Sequence, residues 1–361
     1  MRRKSTILLG AMALTLVACA KDDTPGTTVS TDTLPPAAAP ASGTDADMQR
    51  VLDALAAKGG TAIETLAPGE ARKQPTPTDA VMDVLKADGR STSPDSLVPG
   101  VTHTDRTIAG AAGQIPARIY TPAGNGPFPV ILYFHGGGWV IGSKDVYDGG
   151  ARGVAKAANA VVVSIDYRLA PENKVPAQHD DALAAYRWVL SNAASIKGDP
   201  KKIALAGESA GGNLAVATAV AARDAKLQMP THVLSVYPIA QNDTTTASYT
   251  QYATAKPLNR PMMNWFASHT IRTPADLQDP RINLVAANLA GLPATTIITA
   301  EIDPLKTDGE MLLSALQKAG VAVEHRHFVG VTHEFFGMAA VVAKAREAQE
   351  YAGQRLKASF Q

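Results

Sequence analysis

An alternation of apolar runs and helical segments constrains this chain most. Val130-Ile131-Leu132-Tyr133-Phe134 and Val161-Val162-Val163-Ser164-Ile165 are apolar at nearly every position. Lys202-Ile203-Ala204-Leu205-Ala206, Val233-Leu234-Ser235-Val236-Tyr237, Thr296-Ile297-Ile298-Thr299 and residues 321–328 continue the series. A strand with no polar face is buried on both sides, as in a parallel sheet covered by helices. Between the runs, residues 146–158, 177–193, 210–225 and 309–319 carry helical spacing, and a last helix is expected over 335–356. The pattern predicts the α/β class, with a mainly parallel sheet and helices on both faces.

Two segments break the alternation. Over residues 48–97, Val51, Leu52 and Leu55 and then Val81, Met82 and Leu85 recur at helical spacing, punctuated by Pro75, Pro77 and Pro94. Two short helices outside the sheet are expected there. Residues 241–285 hold Tyr249, Tyr252, Met262, Met263, Trp265 and Phe266 among polar neighbours and read as an insertion above the sheet. The 361 residues suit one large α/β domain with additions, or two small domains. With 34 basic and 33 acidic side chains, no global field draws the chain to nucleic acid, and no nucleic-acid partner is expected.

The chain has one cysteine, Cys19, which excludes an internal disulfide and any multi-thiolate cluster. Arg2, Arg3 and Lys4 precede an uncharged apolar stretch over residues 7–17, followed by Leu16-Val17-Ala18-Cys19. This order resembles a bacterial lipoprotein signal, in which the Cys19 sulfur is acylated and becomes the new N-terminus. Residues 1–18 are then signal peptide, and residues 19–47, rich in Thr, Pro, Ala and Ser, are a flexible tether. The domain proper is expected over residues 48–361. The resemblance implies export and a lipid anchor in the cell envelope. Ala20 rather than Asp after the cysteine implies the outer membrane, facing the periplasm.

The chemistry-bearing residues fall at strand ends. Gly207-Glu208-Ser209-Ala210-Gly211 sits between the run 202–206 and the helix from Ala210. This is a G-x-S-x-G elbow in its strand–turn–helix context, with Ser209 as candidate nucleophile at a helix N-terminus. His135-Gly136-Gly137-Gly138-Trp139 directly follows the run 130–134. Consecutive glycines allow backbone N–H groups to approach a developing oxyanion. A serine needs a base oriented by an acid. His333 follows the last strand and Asp303 follows the run 296–299, so the chain order is Ser209, Asp303, His333, with Asp308 as the competing acid. His325 and His327 alternate along a strand, and His179 precedes Asp180-Asp181 but comes before the serine. His333-Glu334-Phe335-Phe336-Gly337 lacks the second histidine of a zincin helix, and no Walker or dinucleotide loop occurs, so neither metal nor cofactor is expected.

Together these residues resemble the hormone-sensitive-lipase family of α/β-hydrolases, the bacterial family IV esterases. His135–Trp139 is similar to the family's HGGG motif and Asp166-Tyr167-Arg168-Leu169-Ala170-Pro171-Glu172 to its DYRLAPE segment. Residues 207–212 match the elbow with Glu208 in place of Asp, and Asp303-Pro304-Leu305-Lys306 matches the acid motif, with Thr307 where a second Asp is usual. Glu334 follows His333 where Gly is usual. The resemblance implies the α/β-hydrolase fold, an eight-stranded, mostly parallel sheet with a helical cap built from residues 48–97 and 241–285. It implies a serine carboxylesterase acting on a small-molecule ester of short to medium acyl chain. Gly137, Gly138 and Ala210 would be the oxyanion donors. Trp139, Trp265 and Phe266, with Met262 and Met263, are candidates for the substrate pocket. The same machinery serves amide or formamide hydrolysis and, without turnover, ligand binding, and the oligomeric state is open between monomer and homodimer.

Overall fold

The computed structural model describes residues 43–361. The expected signal peptide, Cys19 and residues 20–42 of the tether lie outside the described residues. The first contacts of the described residues lie just before residue 48. Asp45 N donates to Gly330 O at 2.8 Å, and helix α1 (Ala46–Ala57) starts at once. Three more helices follow: α2 (Pro68–Ala71), α3 (Pro77–Ala87) and α4 (Pro94–Leu97), with a 3-10 turn at Ile63–Thr65. The two helices expected here are α1 and α3; the others are single turns too short to show a period. Thr76 and Asp79 form a reciprocal cap at the start of α3, and Pro77 takes the first position, where no N–H is needed.

Strands β1 (Val101–Gly110) and β2 (Gly113–Pro122) pair as an antiparallel hairpin. Then come β3 (Phe128–Phe134), α5 (Asp148–Ala158), β4 (Val161–Ile165), α6 (Ala177–Asn192), β5 (Gly198–Glu208), α7 (Ala210–Asp224) and β6 (Val233–Val236). Helices α8 (Ala247–Gln251) and α9 (Arg260–Thr270) occupy the insertion. The chain ends with β7 (Thr295–Ile302), α10 (Lys306–Lys318), β8 (Val323–Thr332) and α11 (Ala343–Ser359). The sheet order is β1-β2-β4-β3-β5-β6-β7-β8. β2 runs antiparallel to β4, and every pairing from β4 to β8 is parallel.

The apolar runs divide by residue parity into two cores, as a pleated strand requires. Val130, Leu132 and Phe134 of β3 face a core that contains Leu214 of α7 and Leu312 of α10. Ile131 and Tyr133 face the other, with Val154 of α5, Leu356 of α11 and Met48, Val81 and Leu85 from the N-terminal helices. The final helix starts at Ala343, not near residue 335. Glu334 is left-handed at φ +67°, and Phe335 and Phe336, both fully buried, form a 3-10 turn. The Asp47 carboxylate then accepts from Ala343 N at 2.7 Å, fixing the new start.

Candidate active site

β5 ends at Glu208 and α7 begins at Ala210, leaving Ser209 alone to turn the chain. Its φ of +57° and ψ of −118° are strained, a conformation that costs about 1–3 kcal/mol and persists only where neighbours impose it. Here the imposing neighbours are backbone. A Cβ on Gly207 would strike Gly211 O, with Phe134 O at 2.9 Å. A Cβ on Gly211 would strike Phe134 O, with His135 O at 2.6 Å. Both flanking glycines are therefore needed for β5, α7 and the end of β3 to converge.

The parallel strands deliver the other two residues to the same edge. β8 extends through Thr332, four residues beyond the expected end, so His333 stands directly at its C-terminal end. Asp303 follows β7 directly. His333 Nδ1 donates to Asp303 Oδ2 at 2.7 Å, which leaves Nε2 to accept from Ser209 Oγ at 3.0 Å. Asp303 Oδ1 is fixed by Leu305 N at 2.8 Å. All three side chains are buried. Burial alone would push the imidazole's pKa down, but Asp303, with Glu334 and Glu208 beyond it, raises it overall.

Asp308 is not part of this chain of contacts. Its oxygens accept from Ala240 N at 3.1 Å and Gln241 Nε2 at 2.7 Å, and burial pushes its carboxyl up to about 7. The other histidines also have structural partners. His179 lies between Asn213 Oδ1 and Arg281 O, and His325 and His327 flank the Thr299 hydroxyl.

Gly137 and Gly138 have φ of +97° and +57°. Gly137 O accepts from Val140 N at 3.0 Å and Ile141 N at 2.9 Å, so the loop closes on itself as a tight turn. The N–H groups of Gly137, Gly138 and Ala210 have no acceptor among the described residues, Ala210 because it opens α7. A Cβ on Gly138 would enter the ring of Phe266. Gly137, Gly138, Ser209 and His333 all line one cavity of about 630 Å³. Much of its remaining wall comes from the two segments that broke the sheet pattern, with Leu52, Leu55 and Ile63 from one and Leu258, Met262 and Phe266 from the other, and Ile141, Val146, Tyr147 and Glu334 add to it.

The aromatic pocket candidates separate. Phe266 lines the large cavity, whereas Trp139 and Met263 line a small neighbouring one of about 50 Å³ that shares Phe266 as a wall. Trp265 lines neither. Its Nε1 donates to Leu66 O at 3.0 Å, so it joins α9 to the N-terminal segment instead of facing substrate.

Three further residues shape the site. Glu208 is buried and accepts hydrogen bonds from the hydroxyls of Tyr133 and Tyr237, while burial pushes its carboxyl up to about 7. Glu334, in the cavity wall beside His333, accepts from the Tyr147 hydroxyl at 2.9 Å. Burial raises its carboxyl, with His333 and Tyr147 acting against the shift. Arg72 donates to Val140 O, Ala170 O and both oxygens of Glu172. A lone arginine in a proline-punctuated segment carries no sequence signal for such a role, and neither tyrosine at the strand ends does.

Residues 131–337 match the family model described as alpha/beta hydrolase fold. Carboxylesterase NlhH of Mycobacterium tuberculosis is 40% identical over 263 residues, covering 71% of this chain and 82% of that protein. Ethyl acetate hydrolase of Pseudomonas putida is 31% identical over 291 residues, covering 79% and 88%. Among solved structures, the Pyrobaculum calidifontis esterase superposes with a TM-score of 0.76 at 32% identity, covering 87% of this chain and 98% of that one. The sheet order, the elbow at Ser209 and these likenesses agree: the chain belongs to the alpha/beta hydrolase fold family, as its resemblance to the hormone-sensitive-lipase esterases implied.

Proposed function

We propose that this chain is a serine carboxylesterase, a carboxylic ester hydrolase acting on short- to medium-chain esters. One observation carries the reading: Ser209 Oγ, His333 Nε2 and Asp303 form a continuous hydrogen-bonded line at the floor of a cavity that Gly137 and Gly138 also wall. His333 takes the proton as Ser209 Oγ attacks the ester carbonyl, and Asp303 holds the imidazole in the tautomer that can accept it. The carbonyl oxygen, now negative, receives hydrogen bonds from the N–H groups of Gly137, Gly138 and Ala210. Each such donor is worth about 10²–10³ in rate. His333 then protonates the leaving alcohol. Water, deprotonated by the same imidazole, cleaves the acyl-enzyme and restores Ser209. The mainly apolar wall from Leu52, Leu55, Leu258 and Met262 suits a hydrocarbon acyl or alcohol group and excludes water from the reacting carbonyl.

Side-by-side rates on p-nitrophenyl butyrate and butyryl p-nitroanilide test the reaction class. The ester is expected to turn over and the anilide to be at least about a hundredfold slower, since its leaving amine demands more of the general acid. Equal or greater amide turnover would make the chain an amidase.

The N-terminal motif supports a location for this activity. Arg2-Arg3-Lys4, the apolar stretch and Leu16-Val17-Ala18-Cys19 together support acylation of Cys19 and attachment to the bacterial envelope, with the polar residues that follow as tether. Cys19→Ala should move the esterase from the membrane fraction to the soluble fraction without changing its rate on soluble esters. Membrane retention of that variant would contradict the anchor.

A further inference from the structure

Glu334 immediately follows the catalytic-site histidine and holds a left-handed backbone, φ +67°, which a glycine adopts freely and a glutamate does not. Oε1 accepts one hydrogen bond, from the Tyr147 hydroxyl at 2.9 Å. Oε2 has no hydrogen-bond partner among the described residues, and Glu334 lines the cavity together with Ser209 and His333. Tyr147 is itself fixed: a Cβ on Gly136 would strike its hydroxyl, so the tyrosine is wedged against the glycine loop. The carboxylate is thus held at a defined place with one oxygen free.

The two ends of a bound ester are distinguished by this site. The carbonyl oxygen goes to Gly137, Gly138 and Ala210, and the leaving oxygen must come within reach of His333 Nε2. Glu334 follows His333 in the chain and lines the same cavity. The local field there is negative. Asp303, Glu208 and Glu334 all act on His333. The cationic Arg72 in the cavity wall is bound to Glu172, and Lys256 sits exposed at the rim. A negative, partly dehydrated site with a free acceptor favours a positively charged donor.

Resting on the esterase reading, we propose that Glu334 is a specificity-determining residue whose free carboxylate oxygen receives a protonated amine on the alcohol portion of the ester. The test compares 2-(dimethylamino)ethyl butyrate with its uncharged shape match, 3-methylbutyl butyrate, each rate divided by its hydroxide-catalysed rate. The wild-type protein should favour the amine ester about tenfold in kcat/KM, the effect of one charge-assisted hydrogen bond. Glu334→Gln should bring the ratio close to one. A merely structural role would change both rates together and leave the ratio alone. An unchanged ratio in Glu334→Gln, or a wild-type ratio of one or less, overturns the proposal. Hydrolysis of neither ester by the wild-type protein would instead remove the esterase reading on which it rests. A second measurement needs no variant: 2-(dimethylamino)ethanol should inhibit the wild-type protein about tenfold more tightly than 3-methylbutanol, and the reverse order would also overturn it.

Discussion

Arg72 and Glu172, a hundred residues apart in sequence, are joined by two hydrogen bonds, 2.8 Å from Nη1 and 2.7 Å from Nη2. The same guanidinium reaches Val140 O at 2.8 Å and Ala170 O at 2.7 Å. Val140 closes the turn on Gly137, and Ala170 N donates to Trp139 O. One side chain from the N-terminal segment therefore ties together the glycine loop and the loop that follows β4. Arg72 holds the Glu172 carboxyl down to about 2, so the pair stays ionised at any working pH.

Removing that tie should loosen the oxyanion donors more than it weakens substrate binding. Arg72→Ala is expected to lower kcat on p-nitrophenyl butyrate by about tenfold, a fraction of the loss of a whole oxyanion donor, with a smaller change in KM. Added guanidinium should restore part of the rate. Arg72→Lys should recover little, because an ammonium cannot match the planar fork that serves four acceptors. A large rise in KM at unchanged kcat would contradict this.

Glu208 sets a pH dependence. Its carboxyl, pushed up to about 7, is charged above that pH, where it adds to the larger support that Asp303 gives the imidazolium. The acid limb of kcat/KM reports protonation of His333 in the free enzyme. Glu208→Gln removes the negative charge, so the imidazolium loses support and its pKa falls. The acid limb should move to lower pH, and activity should persist further into acid. A shift to higher pH would contradict the sign.

The two aromatic neighbours on α9 should behave differently. Trp265→Phe deletes the hydrogen bond to Leu66 O and should cost about 1 kcal/mol of stability, leaving the order of acyl-chain preference unchanged. Phe266→Ala removes the wall between the large cavity and the small one that Trp139 and Met263 line. Its preference should move toward longer acyl chains in a p-nitrophenyl ester series from acetate to dodecanoate. An altered preference in Trp265→Phe with none in Phe266→Ala would reverse these roles.

Much of this was legible in the chain because buried parallel strands leave a continuous apolar trace. β3, β4, β5, β6 and β7 each appeared in it, and the glycine-rich turns at the C-terminal ends of β3 and β5 marked the site. The hairpin β1–β2 did not appear. β1 is an edge strand exposed at most positions, with Val101 and Ile108 its buried side chains, so His103, Thr104, Asp105 and Arg106 form no apolar run. The start of α11 was misplaced because Phe335, Phe336 and Met338 look helical in spacing, whereas the turn at Glu334 and the Asp47 contact, nearly three hundred residues away, decide it. Trp265 read as a pocket residue for the same kind of reason: composition marks an aromatic segment, and the contact with Leu66 determines which ring faces the cavity. Arg72 and Tyr147 act through partners remote in sequence and left no local pattern, and the elbow marked the position of Glu208 without its partners Tyr133 and Tyr237.

The central claim is that Ser209 is the nucleophile of an ester hydrolase. A fluorophosphonate that reacts only with an activated serine tests it directly, read by mass spectrometry of the digested protein. Inactivation should proceed in step with attachment of one label per chain on the peptide containing Ser209, and Ser209→Ala, folded, should take up no label and hydrolyse no p-nitrophenyl butyrate. Full esterase activity in Ser209→Ala, or inactivation with the label on another residue, would contradict the account.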